Sequence, residues 1–542
     1  MLSYFNFNKK LLVLLYFFLF LVVGLFIYPD FGISLDEDNT RINGFVTFKY
    51  ICEIFLPEII YKIDNIIDVP SLSDWKEQGH GVVFDLPAAF IEFFFEIKDS
   101  RNYFLMRHFI SFAFFYISIY FFFLLIRDRY NSIYMGLLGS SFLILSPRIF
   151  AHSFYNNKDI IFMSIFIISI YTGTKLLRDY NLKNTILFAF ASALAIDTRI
   201  LGIITPTIFF TISFLKIFPF EKKNIKYLNF NLLLLVLLSF FIYVFWPYLW
   251  ENPIKNFLYV FEILSNFNEN VFNFYLGEQI FAQNIPWHYP IVWILITTPI
   301  TYVLLFVSGF FLITYRLIKR IINISEININ NDIWRGKNEM VDLFIYATFL
   351  GPLFLVILLN STLYDGWRHL YFIYPSFLYI SLYGTNFIVK NILKKIKKPF
   401  FILILLSMIP TVLFIYKNHP YQYTYFNLAA GKDYNTNFDM DYWGVSNKDA
   451  LKFIAENNKN NVKVGNIGTT DLSISKKMLK KKNRDKIIIV YNVDEADYII
   501  NNFRDWKGNY KPTDFIIPKG FNIINKIKVE GVTINSTYYR KN

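Results

Sequence analysis

Long apolar runs, separated by polar and charged loops, dominate the hydrophobic pattern of this chain. A helix needs about 20 apolar residues to cross a hydrocarbon core of about 30 Å, and runs of about that length recur about eleven times. The runs are continuously apolar rather than alternating, which argues against a transmembrane β-barrel. The pattern therefore predicts an α-helical polytopic membrane protein with about 11 transmembrane helices. The predicted spans are 10–28, 103–126, 132–147, 159–177, 184–197, 200–216, 231–249, 288–315, 341–360, 369–389 and 399–416.

After residue 416 the pattern changes to short strands and one amphipathic helix. "SNKDALKFIAENN" begins with a candidate N-cap, Ser446, and continues at helical period. "VKVGNIG", "DKIIIVYNV" and "ADYIINN" are typical of strands, and "INKIKVEGVTINSTYYR" of a hairpin that turns at Glu530-Gly531. The chain is thus predicted to consist of a transmembrane domain, 1–416, and a small α/β domain, 417–542.

Two loops between spans are long enough to hold interfacial helices. In the first, 30–102, "FKYICEIFLPEIIYK" (48–62) places apolar residues at helical spacing. This segment is predicted to lie in the membrane interface with a kink at Pro57. The loop at 250–287 is expected to hold a second helix of this kind.

The charge pattern predicts the orientation of the chain. Lys and Arg cluster before the first span and then in every second loop, which makes those loops and the N-terminus cytoplasmic. The net charge of +13 then reflects topology and anionic lipid rather than nucleic-acid binding. A bias towards Lys, Asn, Ile and Phe is typical of an AT-rich bacterial genome. The predicted location is the bacterial inner membrane. The predicted outer segments are 30–102, 148–158, 250–287, 361–368 and everything after 416.

Three consecutive carboxylates in "FGISLDEDNTRING" (31–44) follow the first span directly. Ionisable groups near a membrane cost free energy and often mark sites or pathways. Ser34 and Glu37 fit a capping box that would start an interfacial helix. Alternatively, Asp36 or Glu37 is a general base that removes a proton from an acceptor hydroxyl.

Basic and imidazole groups occupy other predicted outer span ends. Arg107 and His108 lie at the outer start of the second span, and Arg107 is either a snorkelling side chain or an anion ligand. "SPRIFAHSFYNNKD" (146–159) crowds polar groups, including His152, Lys158 and Asp159, into what is predicted to be a short outer loop. Positive charge at an outer position opposes the topology rule, which favours a functional role for this loop.

Two further outer motifs are "IPWHYP", with His288, and "YDGWRH", with Arg368 and His369. A lone interfacial histidine is usually structural, but four of the six histidines lie at predicted outer span ends, which favours a shared anionic ligand such as a phosphate. Asp197 and Arg199 are expected to form an ion pair at a tight turn. Cys52 is the only cysteine, so neither an internal disulfide nor a cysteine-based metal site is possible, and a divalent cation on Asp36, Asp159 or a histidine stays open.

Together, the acidic pair after the first span, the long outer loop with its interfacial helix and the later "NNKD" segment resemble the GT-C superfamily. These are integral-membrane glycosyltransferases that use polyprenyl-phosphate sugars, and they include protein O-mannosyltransferases and lipid A aminoarabinose transferases. The resemblance covers about 1–416. It implies Asp36, Glu37 and Asp159 as catalytic residues. It also implies a set of substrate ligands, which are Arg107, His152, Lys158, His288, Arg368 and His369.

The resemblance implies transfer of a sugar from a polyprenyl phosphate to a hydroxyl of a lipid, glycan or protein acceptor on the outer face of the membrane, by an inverting single displacement. A flippase or other transporter for lipid-linked sugars is the alternative. Transporters place their charges near the bilayer midplane, often within inverted repeats, whereas here the charges fall at one face and no repeat is visible. A noncatalytic scaffold that presents 417–542 is a third reading, under which the outer carboxylates could be neutralised without loss of function.

Overall fold

The computed structural model describes residues 2–64, 67–217, 225–265, 270–322, 333–393, 397–505, 508 and 517–541. In this part of the chain, nine helical segments are long and apolar enough to cross a membrane, or up to ten if a bent pair of helices is one span. The helices, α1 to α21 in chain order, are Leu2–Ile27, Asp36–Phe55, Ile60–Asp64, Asp85–Phe94, Ser100–Tyr130, Ile133–Ile144, Pro147–Tyr155, Asp159–Arg178, Leu182–Thr198, Ile204–Ile217, Ile225–Phe245, Pro253–Ser265, Tyr289–Thr297, Ile300–Ile322, Gly336–Leu358, Tyr374–Phe387, Lys397–Lys417, Tyr434–Asn437, Asn447–Glu456, Leu472–Lys476 and Lys481–Arg484.

The prediction of a multi-pass helical protein is confirmed, with fewer spans than expected. The predicted span 184–197 corresponds to α9, a 17-residue helix. At about 1.5 Å per residue it is shorter than the hydrocarbon core is thick. The predicted span 132–147 is the first half of the bent pair α6–α7, whose helices meet at 71°.

The segment predicted as the short outer loop 148–158 is mostly helical, which corrects that expectation. Pro147 occupies the first turn of α7, where its missing N–H costs nothing. Every residue of α7 is buried, including Arg148 and His152. Only 156–158, between α7 and α8, remains as a connection.

The segment 30–102, which the charge pattern predicts to lie outside and which we call the first outer segment, is organised by α2. This helix begins at Asp36, earlier than the predicted start at residue 48, and ends at Phe55, before Pro57. Its first turn holds all three carboxylates, which the positive end of the helix dipole stabilises. The helix predicted in 250–287 is present as α12, on which Ile254 and Leu258 are exposed, and its interfacial location stays a prediction.

Two glycines allow close packing around α2. A Cβ on Gly44 would lie 2.2 Å from the carbonyl oxygen of Asp85, so α4 approaches α2 at backbone distance. A Cβ on Gly81 would lie 1.2 Å from the carbonyl oxygen of Asp197 at the end of α9. The segment that connects these two contacts, 81–85, therefore packs against α9 at one end and α2 at the other.

The C-terminal part contains the predicted α/β unit. Strands β3 (Val462–Asn466), β4 (Ile487–Ile489), β5 (Tyr498–Asn501), β6 (Phe521–Val529) and β7 (Val532–Arg540) form one sheet in the order β4-β3-β5-β7-β6. The predicted hairpin turn is confirmed, because Glu530 (φ 47°) and Gly531 (φ 85°) both adopt the left-handed conformation that a tight two-residue turn requires. A hairpin of β1 (Phe272–Tyr275) and β2 (Glu278–Phe281) was not predicted.

Ser446 is the N-cap residue of α19, as predicted, although its hydroxyl donates to Asp441 rather than capping the helix. The same unit is tied to the first outer segment by ion pairs. Lys477 Nζ lies 2.6 Å from Asp38 Oδ2, and Arg484 Nη2 lies 2.7 Å from Asp99 Oδ2. The C-terminal unit therefore packs over the loop that carries the acidic residues.

Candidate active site

Two carboxylates and two guanidinium groups meet at one end of the helical bundle. Arg368 Nη1 donates to Asp36 Oδ2 and to Asp159 Oδ2, each at 3.2 Å. Arg199 donates to the other oxygen of Asp159. Three predicted outer motifs, which lie far apart in sequence, thus meet in one group. We call Asp36, Asp159, Arg199 and Arg368 the carboxylate–arginine cluster.

Exposure distinguishes the two carboxylates of the cluster. The side chain of Asp159 is 1% exposed, whereas that of Asp36 is 33% exposed. Asp159 also accepts from Asn156 Nδ2 at 2.9 Å, so it is held on several sides. Asp36 has an open side and is the cluster carboxylate that a substrate can approach.

Glu37 contacts a different set of residues from Asp36. It is fully buried, and its Oε1 accepts from the backbone N–H of Ser34 at 2.8 Å. Its Oε2 lies 3.0 Å from His108 Nε2. The Ser34–Glu37 contact is the half of the predicted capping box in which the carboxylate reaches back to the chain. The geometry therefore gives Glu37 a structural role and leaves the catalytic proposal to Asp36.

Arg368 is fixed by aromatic rings as well as by charge. Its guanidinium carbon lies 4.9 Å from the ring centroids of both Tyr364 and Trp443. Its Nε lies 3.5 Å from Asp365 Oδ2. With a side chain only 3% exposed, Arg368 is a rigid support for Asp36 rather than a mobile surface cation.

Lys158 stands beside the cluster without a counterion. It immediately precedes Asp159, the first residue of α8. Its neighbour Asn157 donates to Thr40 Oγ1 at 2.7 Å, which fixes this connection against α2. Among the described residues, Lys158 Nζ makes no hydrogen bond or ion pair, and the side chain lines a small cleft.

His369 also has a side-chain nitrogen without a hydrogen-bond partner among the described residues. Its ring packs on Tyr364 with centroids 4.7 Å apart. Nδ1 is buried and has no hydrogen-bond partner within the part of the chain that the structure describes. A buried polar group without a partner is costly, so this atom is suited to a ligand.

Three other predicted ligands have protein partners instead. Arg107 is fully buried on α5, and its Nη2 donates to Glu92 at 3.2 Å, whereas its Nε and Nη1 have no hydrogen-bond partner among the described residues. His152 Nδ1 accepts from Asn156 Nδ2 at 3.1 Å, an arrangement in which its Nε2 bonds Tyr442. His152 therefore supports Asn156, and through it Asp159, from behind. His288 lies at the start of α13, with Nδ1 2.7 Å from the Tyr275 hydroxyl on the unpredicted hairpin.

The expected ion pair between Asp197 and Arg199 is wrong. Arg199 pairs with Asp159, whereas Asp197 Oδ1 accepts the N–H of Val82 at 3.4 Å. Sequence proximity misled here because α9 ends at Thr198 and the chain reverses into an extended conformation at Arg199. The two side chains then project towards different elements.

The cleft beside Lys158 contains residues that the sequence did not single out. Thr40 and Asn43 line it from α2, and both follow Asp36 at the spacing of one helical face. Asp85 lies opposite and accepts from Asn43 Nδ2 at 2.9 Å. The available signal was "GHGVVFDLP", in which His80 and Asp85 interrupt an otherwise apolar stretch of the outer loop.

The pKa values of Asp85 and His80 in this cleft are shifted from their usual ranges. Burial raises the pKa of Asp85 to about 7, against the hydrogen bond from Asn43 and the charges of Arg107 and Lys158. Lys158, together with burial and Arg199, holds the pKa of His80 well below its usual range. His80 is thus neutral at pH 7, and Lys158 is the dominant positive charge in the cleft.

Replacing Asp85 with Asn should change how stability depends on pH. The carboxyl keeps its proton up to about pH 7 when folded but releases it near 3.8 when unfolded, so the wild type loses stability as pH rises through this window. The amide has no proton to lose and still accepts from Asn43. The Tm advantage of Asp85→Asn should grow from pH 4 to pH 7, corresponding to a few kcal/mol at most, and level off above. Tryptophan fluorescence in detergent measures this, and a Tm difference independent of pH would contradict it.

Groups of three or more His, Cys, Asp or Glu that could hold a metal ion do not occur among the described residues. Asp36 and Asp159, the carboxylates suggested for a divalent cation, are both paired with Arg368. Their arrangement fits guanidinium binding rather than a carboxylate-rich metal site.

No family model matches the sequence, and no curated protein matches it. Similar solved structures are ArnT from Cupriavidus metallidurans in the apo state (10% identity, 98% of each chain, TM-score 0.48) and bound to undecaprenyl phosphate (9% identity, 96% of this chain and 97% of that one, TM-score 0.46). A third is the Archaeoglobus fulgidus oligosaccharyltransferase in the apo form (12% identity, 78% of this chain and 62% of that one, TM-score 0.43). At such TM-scores the likeness assigns no activity, so any function must be argued from the site.

Proposed function

We propose that this protein is a membrane glycosyltransferase that moves a sugar from a polyprenyl-phosphate donor to an acceptor hydroxyl at the outer face of the bacterial inner membrane. The observation that carries the proposal is that a carboxylate and groups able to bind an anion lie close together at one end of the helical bundle. A partly exposed carboxylate, Asp36, is held rigidly by Arg368, while Lys158 and His369 Nδ1 beside Asp159 have no partner among the described residues. A base and an anion-binding group side by side are what this transfer requires.

The reaction assigns a role to each group. Asp36 accepts the proton of the acceptor hydroxyl as its oxygen forms a bond to the anomeric carbon. The bond from that carbon to the phosphate oxygen breaks, and the electron pair leaves with the lipid phosphate. Lys158, with His369 close by, stabilises the charge that grows on this phosphate, because a fixed cation in a water-poor site needs no reorganisation. A single displacement of this kind inverts the anomeric centre.

The membrane location fits a lipid-linked donor. The cluster forms where α1 ends, α8 begins and the span Arg368–Ile392 begins, so it lies at the end of the spans rather than at their middle. A polyprenyl tail placed between spans would bring its phosphate to this level. The same placement argues against a flippase, which needs charged groups near the midplane. The N-terminus is cytoplasmic in this proposal, and 417–542 is extracytoplasmic.

Sugar transfer in reconstituted vesicles tests the proposal. Purified protein in liposomes is supplied with a panel of polyprenyl-phosphate sugars labelled in the sugar, together with envelope lipid, glycan and protein fractions as acceptors. We expect label to move to an acceptor in the wild type and not in Asp36→Asn. No transfer with any donor, combined with movement of intact donor between leaflets, would contradict the proposal and favour the flippase.

A further inference from the structure

A side chain of the C-terminal unit reaches the carboxylate–arginine cluster through one intervening carboxylate. Arg504 follows β5 and is only 2% exposed. Its Nη2 lies 3.0 Å from Asp365 Oδ1, and its Nη1 lies 2.5 Å from Asp439 Oδ2. Since Asp365 Oδ2 is 3.5 Å from Arg368 Nε, an unbroken row of buried charges joins the sheet unit to Asp36.

Asp365 is held in a defined position by several elements. Its N–H donates to Asn273 Oδ1 at 3.1 Å on the hairpin, and Trp443 Nε1 donates to its Oδ2 at 3.0 Å. Its backbone is left-handed, with φ 57°, and Gly366 follows with φ 71°. This turn places Asp365 behind Arg368, at the opposite end of the guanidinium from Nη1, which bonds Asp36 and Asp159.

The charge balance shows what Arg504 contributes. With Arg504 present, Asp365 and Asp439 both form ion pairs with Arg504, and Arg368 Nη1 remains bound to Asp36 and Asp159. Without Arg504, the buried Asp365 would have Arg368 as its nearest cation. Breaking a buried ion pair from one side leaves an uncompensated charge that the surroundings must neutralise. Arg368 would then move towards Asp365 and away from Asp36.

We propose that Arg504 and Asp365 are positioning residues for the transferase site, with Arg504 preventing Asp365 from withdrawing Arg368 from Asp36. This proposal rests on the function proposed above. It makes the C-terminal sheet unit a working part of the site rather than an appended domain. Neither residue touches the substrate in this scheme.

Removing the Arg504 charge should therefore lower turnover more than donor affinity. In Arg504→Met we expect kcat for sugar transfer to fall about 10- to 100-fold, because small displacements of a catalytic group have effects of this size. The KM for the donor should change little, since Lys158 is not in the row. Arg504→Lys, which keeps the charge, should recover part of the loss.

Neutralising Asp365 supplies the decisive comparison. Asp365→Asn in the Arg504→Met background removes the carboxylate that competes for Arg368, so the double variant should be more active than Arg504→Met alone. A purely structural role predicts the reverse, because a second altered residue in the same contact would add damage.

The pH dependence gives an independent readout. Burial raises the pKa of Asp365, Arg504 and Arg368 oppose that rise, and Asp439 and Asp36 add to it. Losing Arg504 raises the pKa further, so acid conditions neutralise Asp365 and release Arg368 to Asp36. The activity of Arg504→Met relative to wild type should thus rise as pH falls, and this trend should vanish in the double variant.

Arg484→Met is the matched control, because Arg484 also ties the C-terminal unit to the outer segment through an ion pair, with Asp99, but lies outside the row. It should keep near wild-type kcat.

Full activity of Arg504→Met, or a double variant no better than the single one, would overturn the proposal. If the wild type transfers no sugar, the proposed function has failed separately. The stability of the two single variants Arg504→Met and Asp36→Asn and of their double variant then supplies the test, because Arg504 and Asp36 do not touch and are linked only through Asp365 and Arg368. Non-additive changes in Tm would support the proposed coupling, and additive changes would overturn it.

Discussion

Replacing Asp36 with Asn is expected to abolish most sugar transfer while leaving the fold intact. The amide still accepts a hydrogen bond from Arg368, and the side chain is partly exposed, so the Tm should change little. It cannot take the proton of an acceptor hydroxyl, and loss of a general base typically lowers kcat by about 10²- to 10⁴-fold. Donor KM should stay near the wild-type value. Initial rates at saturating acceptor in proteoliposomes measure this.

Glu37→Gln is the matched control for Asp36→Asn, because it makes the same kind of change one residue away. Glu37 is fully buried against Ser34 and His108, so its variant should lose stability, by about 1–3 kcal/mol, rather than chemistry. Activity per folded molecule should remain substantial. The opposite result, with Glu37→Gln inactive and Asp36→Asn active, would move the base to Glu37 and contradict the assignment from exposure.

Replacing Lys158 with Met is expected to have the second large effect, on the donor side. The ammonium is the dominant positive charge in the cleft, and the chain keeps its other contacts through Asn156 and Asn157. Removing a fixed charge from a developing anion typically lowers the rate by about 10²- to 10³-fold. We expect a fall of this order in kcat/KM for the donor, with partial recovery in Lys158→Arg.

Lys175→Met controls for the loss of a lysine on the same helix. Lys175 lies near the other end of α8 and is 46% exposed beside Asp128. It should keep wild-type kinetics. Inorganic phosphate and undecaprenyl phosphate should also inhibit the wild type more strongly than Lys158→Met. Equal inhibition of both would show that the phosphate binds elsewhere.

The general architecture was predictable because membrane spans and short strands follow directly from the hydrophobic pattern. The positions at which a helix breaks inside an apolar run could not be predicted in this way. Pro147 was visible in the sequence, but the 71° bend between α6 and α7 depends on packing that no local pattern encodes. The outer loop predicted at 148–158 became the buried helix α7 for the same reason.

The candidate site was predictable where charge stood against an apolar background. Asp36, Asp159 and Arg368 attracted attention on that ground, and the fold brings them together. The histidines were less informative, since His152 and His288 found protein partners that only the tertiary structure reveals. Arg504 lies among ordinary polar residues after β5, so only the fold identifies it.

The order in which the chain is made gives the row of buried charges a further meaning. In the proposed topology, Arg504 is synthesised after every membrane span described here, so Asp365 receives this cation only after the sheet unit has crossed the membrane and docked. Until then Arg368 is shared among competing carboxylates and Asp36 is not held in place. A half-made or misdirected chain would therefore remain inactive, and activity itself would report that translocation of the C-terminal unit is complete.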